Sequence, residues 1–432
     1  MLRSLPDSLL VEICSVLSVG EAALVLAHVV RRTGLRVSWT AVTLAHVTRS
    51  IAAAAHYGPL YQAVSQLALV PRLQTFKAIL DESTVSWIDD VLAASTNLQC
   101  LGLHVLDDGV ARLSQLSQVR RHKSSVTDLE LSLYQACYQD MVTSNEPVTT
   151  FLAGFVALDT FAFDFYDIHP DIPDHWAAEA LRSLEPGCLL ELRVSGGLGN
   201  QKMVAKTIVE LQPRLTSLNM AVHWGDDKEL KENGALHALE SCSFSASRWS
   251  DLAFIERLDR LRAVRVHVAD NRACEWVLPR GVVEFESGVG ICPASLLPKQ
   301  LEALTILVCK ENVAGLAQRL PTMASLGSLC LIVRPQCWPK VQGQLMASRF
   351  ACPGVRRLRL QGFGFGQGLL KSFPGLKELE CELSKGRPCL DAFRLCPDLQ
   401  TITVNRLRSV VTFGRRADGR IVRRENSERV LI

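Results

Sequence analysis

Four groups of residues in this sequence have types and spacing that could do chemistry. The run Gly362-Phe363-Gly364-Phe365-Gly366-Gln367-Gly368 spaces its glycines as a phosphate-cradling loop does. Such a loop needs a strand before it, a helix N-terminus after it and the right partner residues. A strand is expected before it, but no lysine-serine or acidic follow-up is read. A turn leaving a strand is the plainer reading, here and at Gly196-Gly197-Leu198-Gly199-Asn200. Asp164, Asp167, His169, Asp171, Asp174 and His175 crowd one stretch. Carboxylates and imidazoles together could hold a divalent metal. Pro170, Pro173 and a helix opening near Asp174 suit a solvated loop with an N-cap better. Cys14, Cys292 and Cys352 have no local activating group and read as buried thiols. Arginines crowd residues 406–429, but acidic residues are interspersed, which suits a solvated hairpin face. No serine–histidine–acid set or carboxylate pair stands out. No catalytic residue, metal ligand or cofactor is therefore assigned, and the chain is expected not to be an enzyme.

Composition bounds the alternatives. Over 432 residues, 48% are hydrophobic and 21% charged, which describes a globular chain. That length suits two or three domains or one extended repeat array. A net charge of +3 argues neither for nor against nucleic acid, while 6% aromatics is sparse for base stacking, so no such partner is expected. The 14 cysteines are scattered, without Cys-x-x-Cys or zinc spacing, and no signal peptide is read. A cytoplasmic or nuclear protein with reduced thiols is expected. The longest uncharged stretch, residues 50–71, contains His56, Gly58, Pro59, Gln62 and Gln66, so no membrane span is expected.

The elements that position these residues follow one pattern, Leu-x-x-Leu-x-Leu with apolar substitutes. It begins at Leu73 and returns at Leu98, Val126, Leu158, Leu189, Leu215, Leu239 and Leu261. After a degraded copy at Val282-x-x-Phe285, it resumes at Leu301, Leu326, Val355, Leu376 and Leu399. The starts step by about 20 to 32 residues, near the leucine-rich-repeat period. This predicts an α/β fold, a solenoid of parallel strands with helices or loops returning outside. Return helices are expected over residues 88–94, 174–184, 202–211 and 251–258. Long returns near residues 135–147 and 165–176 should bulge outward. Residues 39–44 read as a strand, and residues 45–56 and 59–70 as helices. Residues 410–424 read as a hairpin on a two-residue Asp418-Gly419 turn, capping the last repeat.

Residues alternating with the inward set must face the hollow of the solenoid. They are Asp128, Glu130, Glu191, Arg193, Arg265, His267, Glu284, Glu286, Arg357, Arg359, Glu378, Glu380 and Glu382. Arg357 and Arg359 should lie beside Glu378 and Glu380. Two readings stay open: the charges select a protein partner, or they pair sideways and keep the sheet soluble. Glu130, Arg193, Arg265, His267, Arg357, Arg359, Glu378 and Glu380 are the candidate partner-binding residues.

The N-terminal residues form an amphipathic helix pair too small to bury its apolar face alone. Leu5-Pro6, Leu9-Leu10, Ile13, Leu17, Leu24, Val29 and Arg31-Arg32 resemble the F-box. Cys14 stands where that family usually carries an aromatic residue. The order of an F-box-like unit followed by repeats resembles the F-box/leucine-rich-repeat proteins. The resemblance implies an F-box-like helical unit at residues 1–45, the solenoid at 46–407 and a capping hairpin and tail at 408–432. It further implies a substrate receptor of a Skp–cullin–F-box ubiquitin ligase. Leu5, Pro6, Leu9, Leu10, Ile13, Leu17 and Leu24 would dock on a Skp-type adaptor, and the solenoid would hold a target protein. The alternatives are a ligase-independent leucine-rich-repeat scaffold and a repeat protein with a phosphate-binding loop at residues 362–368.

Overall fold

The Leu-x-x-Leu-x-Leu stretches fold as short parallel strands, each beside the strand of the next repeat. The computed structural model describes residues 41–43, 74–82, 84–106, 109–134, 145–166, 174–196, 202–222, 236–269, 276–289, 291–334, 337–347, 350–362, 367–382, 391–406, 409–416 and 419–426. The F-box-like residues Leu5 to Arg32 and the expected helices at 45–56 and 59–70 lie outside the described residues. By its internal contacts the chain divides into two units, Met1–Ala221 and Val222–Ile432.

In the first unit, the strands are β1 (Ala41–Thr43), β2 (Thr75–Leu80), β3 (Cys100–Val105), β4 (Asp128–Tyr134), β5 (Thr160–Tyr166), β6 (Glu191–Gly196) and β7 (Ser217–Val222). Each is parallel to the next in sequence order. The expected strand at residues 39–44 is present as β1 and pairs with β2, so the sheet starts inside the stretch assigned to the N-terminal helical unit. The returns are α1 (Val85–Ala94), α2 (Gly109–Arg112), α3 (Glu146–Leu152), α4 (Asp174–Arg182) and α5 (Lys202–Leu211), with tight 3₁₀ turns between some of them.

The second unit runs β8 (Ser241–Ala246), β9 (Ala263–Val268), β10 (Glu284–Val289), β11 (Ala303–Val308), β12 (Ser328–Val333), β13 (Arg357–Gln361), β14 (Glu378–Glu382) and β15 (Thr401–Arg406), again parallel in order. Its helical returns include α6 (Val313–Arg319), α7 (Trp338–Ala347), α8 (Gln367–Leu370) and α9 (Ala392–Leu395). The return expected as a helix over 251–258 is a 3₁₀ helix, Trp249–Arg257. The degraded repeat at Val282 still makes a full strand, with an irregular register between Ser287 and Val289. Both units are leucine-rich-repeat stacks.

The inward residues of each strand bury against the return. The repeat of β5 fills its interior with Phe161, Phe163 and Phe165, and Trp176 of α4 stacks on Phe163 at 5.9 Å. Burying each such ring contributes roughly 1.5–3 kcal/mol.

Leaving each strand, the backbone must turn outward without stranding its polar groups. Two repeats solve this alike. Thr84 Oγ1 accepts the Asp81 N–H at 3.0 Å and donates to the Ile79 carbonyl at 2.8 Å. Asn312 Oδ1 accepts the Cys309 N–H at 3.0 Å, and its Nδ2 donates to the Leu307 carbonyl at 2.9 Å and the Cys292 carbonyl at 3.3 Å. Two others use glycine: Gly196 has φ +112 and Gly362 has φ +72, and a Cβ on Gly362 would lie 1.9 Å from the Val333 carbonyl oxygen.

The C-terminal hairpin is β16 (Ser409–Arg415) and β17 (Ile421–Asn426), antiparallel to each other. The Arg416 N–H donates to the Arg420 carbonyl at 2.9 Å, and Gly419 has φ +80. The loop is thus three residues with a left-handed glycine, not the expected two-residue turn. The hairpin adds itself to the sheet rather than lying over it. β16 runs antiparallel to β15, with Phe413 opposite Ile402 and Val411 opposite Val404. Val411 and Phe413 are buried, and Arg415 lies over the Phe393 ring while its guanidinium donates to the Phe393 and Pro397 carbonyls at the end of α9. These three side chains cap the last repeat.

Replacing Asn312 by Ala strands an N–H and two carbonyls in the interior. Each such group costs about 1–3 kcal/mol, partly relieved by relaxation, so Asn312→Ala should lose about 2–4 kcal/mol. A urea-unfolding midpoint within error of the parent would contradict this.

Candidate partner-binding face

The side chains that alternate with the inward set form three rows across each sheet. Register alone sets who neighbours whom. In the first unit the lower row runs Cys100, Asp128, Thr160, Glu191 and Ser217, and the middle row Lys77, Gly102, Glu130, Ala162, Arg193 and Asn219. The upper row runs Ile79, His104, Ser132, Asp164 and Ser195.

The middle row is a chain of alternating charge. Lys77 of β2 reaches over β3 to Glu130 of β4, with Nζ 2.5 Å from Oε2. It can do so because β3 carries Gly102 there; a Cβ on Gly102 would meet the Lys77 stem at 2.7 Å. Burial disfavours the Lys77 ammonium, but the hydrogen bond and charge of Glu130 outweigh it and raise its pKa. Arg193 of β6 passes over Ala162 of β5, and its Nη2 lies 3.7 Å from Glu130 Oε1. Its Nε donates to Asp164 Oδ1 at 3.0 Å, its Nη2 to Oδ2, and Ser195 Oγ joins the same carboxylate. Asp164 is 1% exposed, so this fork is its counter-charge in a largely dry place.

Asp164 is the main correction to the sequence reading. The sequence places it in a solvated loop, but it belongs to β5 and pairs with Arg193 and Ser195. Counting two residues on from Ala162 within the repeat would have found it. Lys77, His104 and Ser132 were also missed; each occupies a position that the repeat register assigns to this face. Residues 167–173 lie outside the described residues. Among the described residues no group of three His, Cys, Asp or Glu side chains could hold a metal ion.

His104 packs beside Tyr134, with ring centroids 6.5 Å apart. Its Nε2 and the Ser132 Oγ on the neighbouring strand are buried without hydrogen-bond partners. Burial depresses the imidazole pKa, with Lys77 adding to the effect while Glu130 and Asp164 oppose it.

In the second unit the candidates Arg265, His267, Arg357, Arg359, Glu378 and Glu380 all alternate with the inward set. Arg265 Nε lies 2.8 Å from Glu286 Oε2. Arg357 is in register with Glu378 and Arg359 with Glu380, as the alternation requires. Arg359 Nε lies 3.3 Å from Glu380 Oε1, and Asn405 donates to the same Glu380 oxygen at 2.6 Å. The structure pairs Arg193 with Glu130, Arg265 with Glu286 and Arg359 with Glu380, and leaves His267, Arg357 and Glu378 without such a pair among the described residues. The pairing leaves heads exposed: the Arg359 side chain is 49% exposed and Arg265 56%.

Cys352 and Cys330 are poor nucleophiles. Burial pushes the Cys352 thiol up to about 12 and the Cys330 thiol up to about 11. Cys292 is buried, and its Sγ lies 3.6 Å from the Pro293 carbonyl. Cys14 lies outside the described residues. Both glycine runs begin as strand exits at positive φ, and residues 197–200 and 363–366 lie outside the described residues. Among the described residues no helix is long and apolar enough to cross a membrane.

Arg193→Ala leaves Asp164 buried without its counter-charge. The half-exposed guanidinium tempers the loss, and about 2 kcal/mol of unfolding free energy should go. Arg193→Lys should restore less than half, since an ammonium cannot make the fork. The unfolded chain protonates its histidine near its ordinary pKa of 6.5, whereas folded His104 resists protonation. Its contribution is therefore intact above about pH 6.5 and falls as the pH drops below it. Urea midpoints at pH 7.5 and 5.5 should fall further for the parent than for His104→Gln; equal falls would refute the assignment.

No family model matches this sequence, and no curated protein matches it. Among solved structures, the chain is similar to the crystal structure of the leucine-rich repeat-containing protein LegL7 from Legionella pneumophila. The two are 15% identical, the match covers 64% of this chain and 88% of that one, and the TM-score is 0.36.

Proposed function

We propose that this chain is a protein-interaction scaffold, and more specifically the substrate-recognition subunit of a Skp–cullin–F-box-type ubiquitin ligase. The observation that carries the scaffold reading is the array of charged heads held in fixed register on a sheet whose other face is packed solid. A preorganised polar face of this kind can select a partner by complementarity without ordering loops first. The ligase reading is supported by the F-box resemblance of Leu5-Pro6, Leu9-Leu10, Ile13, Leu17 and Leu24, set before repeats. In this reading those residues dock on a Skp-type adaptor. The repeats hold the target through Glu130, Arg193, Arg265, His267, Arg357, Arg359, Glu378 and Glu380. The chain itself makes and breaks no bonds and needs no cofactor; ubiquitin transfer belongs to the cullin assembly.

Full-length chain should retain a purified Skp-type adaptor in a pull-down. Leu9→Asp with Ile13→Asp removes two apolar anchors and should weaken that binding at least about 100-fold, since each anchor contributes on the order of 2 kcal/mol. No binding by the parent, or undiminished binding by the double variant, would leave a ligase-independent scaffold.

A further inference from the structure

The face of the second unit is charged at its flanks and neutral between them. β11 and β12 present Ala303, Thr305 and Leu307 beside Ser328, Cys330 and Ile332, with no charged group among them. Leu307 is nearly buried in the sheet face and Ile332 half-buried, so the floor of this strip is apolar. On one side β10 places Glu284 beside Ala303 and Glu286 beside Thr305. On the other, β13 places Arg357 beside Ser328 and Arg359 beside Cys330. The carboxylate-bearing and guanidinium-bearing strands thus flank this strip three strand spacings apart, about 14 Å.

The outer neighbours take up one charge on each flank: Arg265 pairs with Glu286 and Glu380 with Arg359, both from the side away from the strip, while Glu378 stands in register beside Arg357 without an ion pair to it. Glu284 lies between Ala263 and Ala303, and Arg357 has Ser328 on its strip side. Both are exposed, and neither has an ion-pair partner among the described residues.

We infer that the strip between β10 and β13 docks a protein segment carrying a basic and an acidic group about 14 Å apart, with an aliphatic side chain between them. The basic group lies over Glu284 and Glu286, the acidic group over Arg357 and Arg359, and the aliphatic side chain on Ile332 and Cys330. A segment with like charges at both ends meets repulsion at one end whichever way it lies. The inference rests on the scaffold reading, and it names the chemistry of the partner.

Three synthetic peptides test it against the full chain at low ionic strength, with cores Lys-Ala-Leu-Ala-Glu, Lys-Ala-Leu-Ala-Lys and Glu-Ala-Leu-Ala-Glu. An extended core of this length separates its end residues by about 13 Å. The mixed peptide should bind at least about threefold tighter than either like-charged one, and the preference should shrink as salt is raised. Glu284→Lys with Glu286→Lys should transfer the preference to the doubly acidic peptide. Arg357→Glu with Arg359→Glu should transfer it to the doubly basic one; the circular-dichroism spectrum checks the fold of each, and the second pair serves if the first does not fold. Equal binding of the three peptides, no binding up to millimolar concentration, or a preference unmoved by a folded variant would overturn the inference. Adaptor binding is read separately through Leu9 and Ile13. Its loss with the peptide preference intact sinks the ligase assignment alone, and the reverse result sinks this inference alone.

Discussion

One backbone contact recurs at the head of nearly every repeat and holds the stack in register. The carbonyl just before each strand accepts two successive N–H groups from the next repeat. Gln74 takes those of Gln99 and Cys100, Gln99 those of Thr127 and Asp128, and Thr127 those of Asp159 and Thr160. In the second unit Val283, Glu302, Gly327, Arg356 and Lys377 do the same for their successors. Peptide groups entering an interior must find partners, and these donors find theirs only when the next repeat begins at one fixed offset. A slip of one residue would send every inward leucine to the outer face. Return length can therefore vary while each strand starts in register with the next.

That register decides the chemistry of the sheet face. Parallel strands in step place like positions side by side, so a cation on one strand meets whatever its neighbour carries at the same position. Arg359 meets Glu380 and Arg265 meets Glu286 for this reason. Where the adjacent residue is small, a long side chain crosses a whole strand, as Lys77 does over Gly102 and Arg193 over Ala162. Lateral pairing and partner selection are then not rivals. Pairing fixes the heads in place, and a preorganised head loses less entropy on binding.

The ends of the stack obey the same constraint. β15 is followed by an antiparallel strand, so the terminal edge is met by pairing, and Arg415 closes the last return by binding the Phe393 and Pro397 carbonyls. The hairpin was legible in Asp418-Gly419, but its pairing with β15 was not. The connection at Leu407 and Arg408 carries no glycine, asparagine or proline to mark a turn, and only the alternation of Val411 with Phe413 hints at a buried face.

By itself the sequence determined the repeat, the strands, the parallel order and the face each side chain takes. These follow from a period of two along a strand and from apolar residues that no single repeat can bury. Return helices such as Lys202–Leu211 were legible because their periodicity is local. The tertiary structure alone decided the partners. It gave the buried Asp164 the Arg193 fork, drew Lys77 to Glu130 across an intervening strand, and left Glu284 and Arg357 flanking a neutral strip. Which charge is spent on which depends on side-chain reach over neighbours 20 to 30 or more residues away in sequence. No local pattern records that distance, and only the stacked register brings it down to about 4.8 Å.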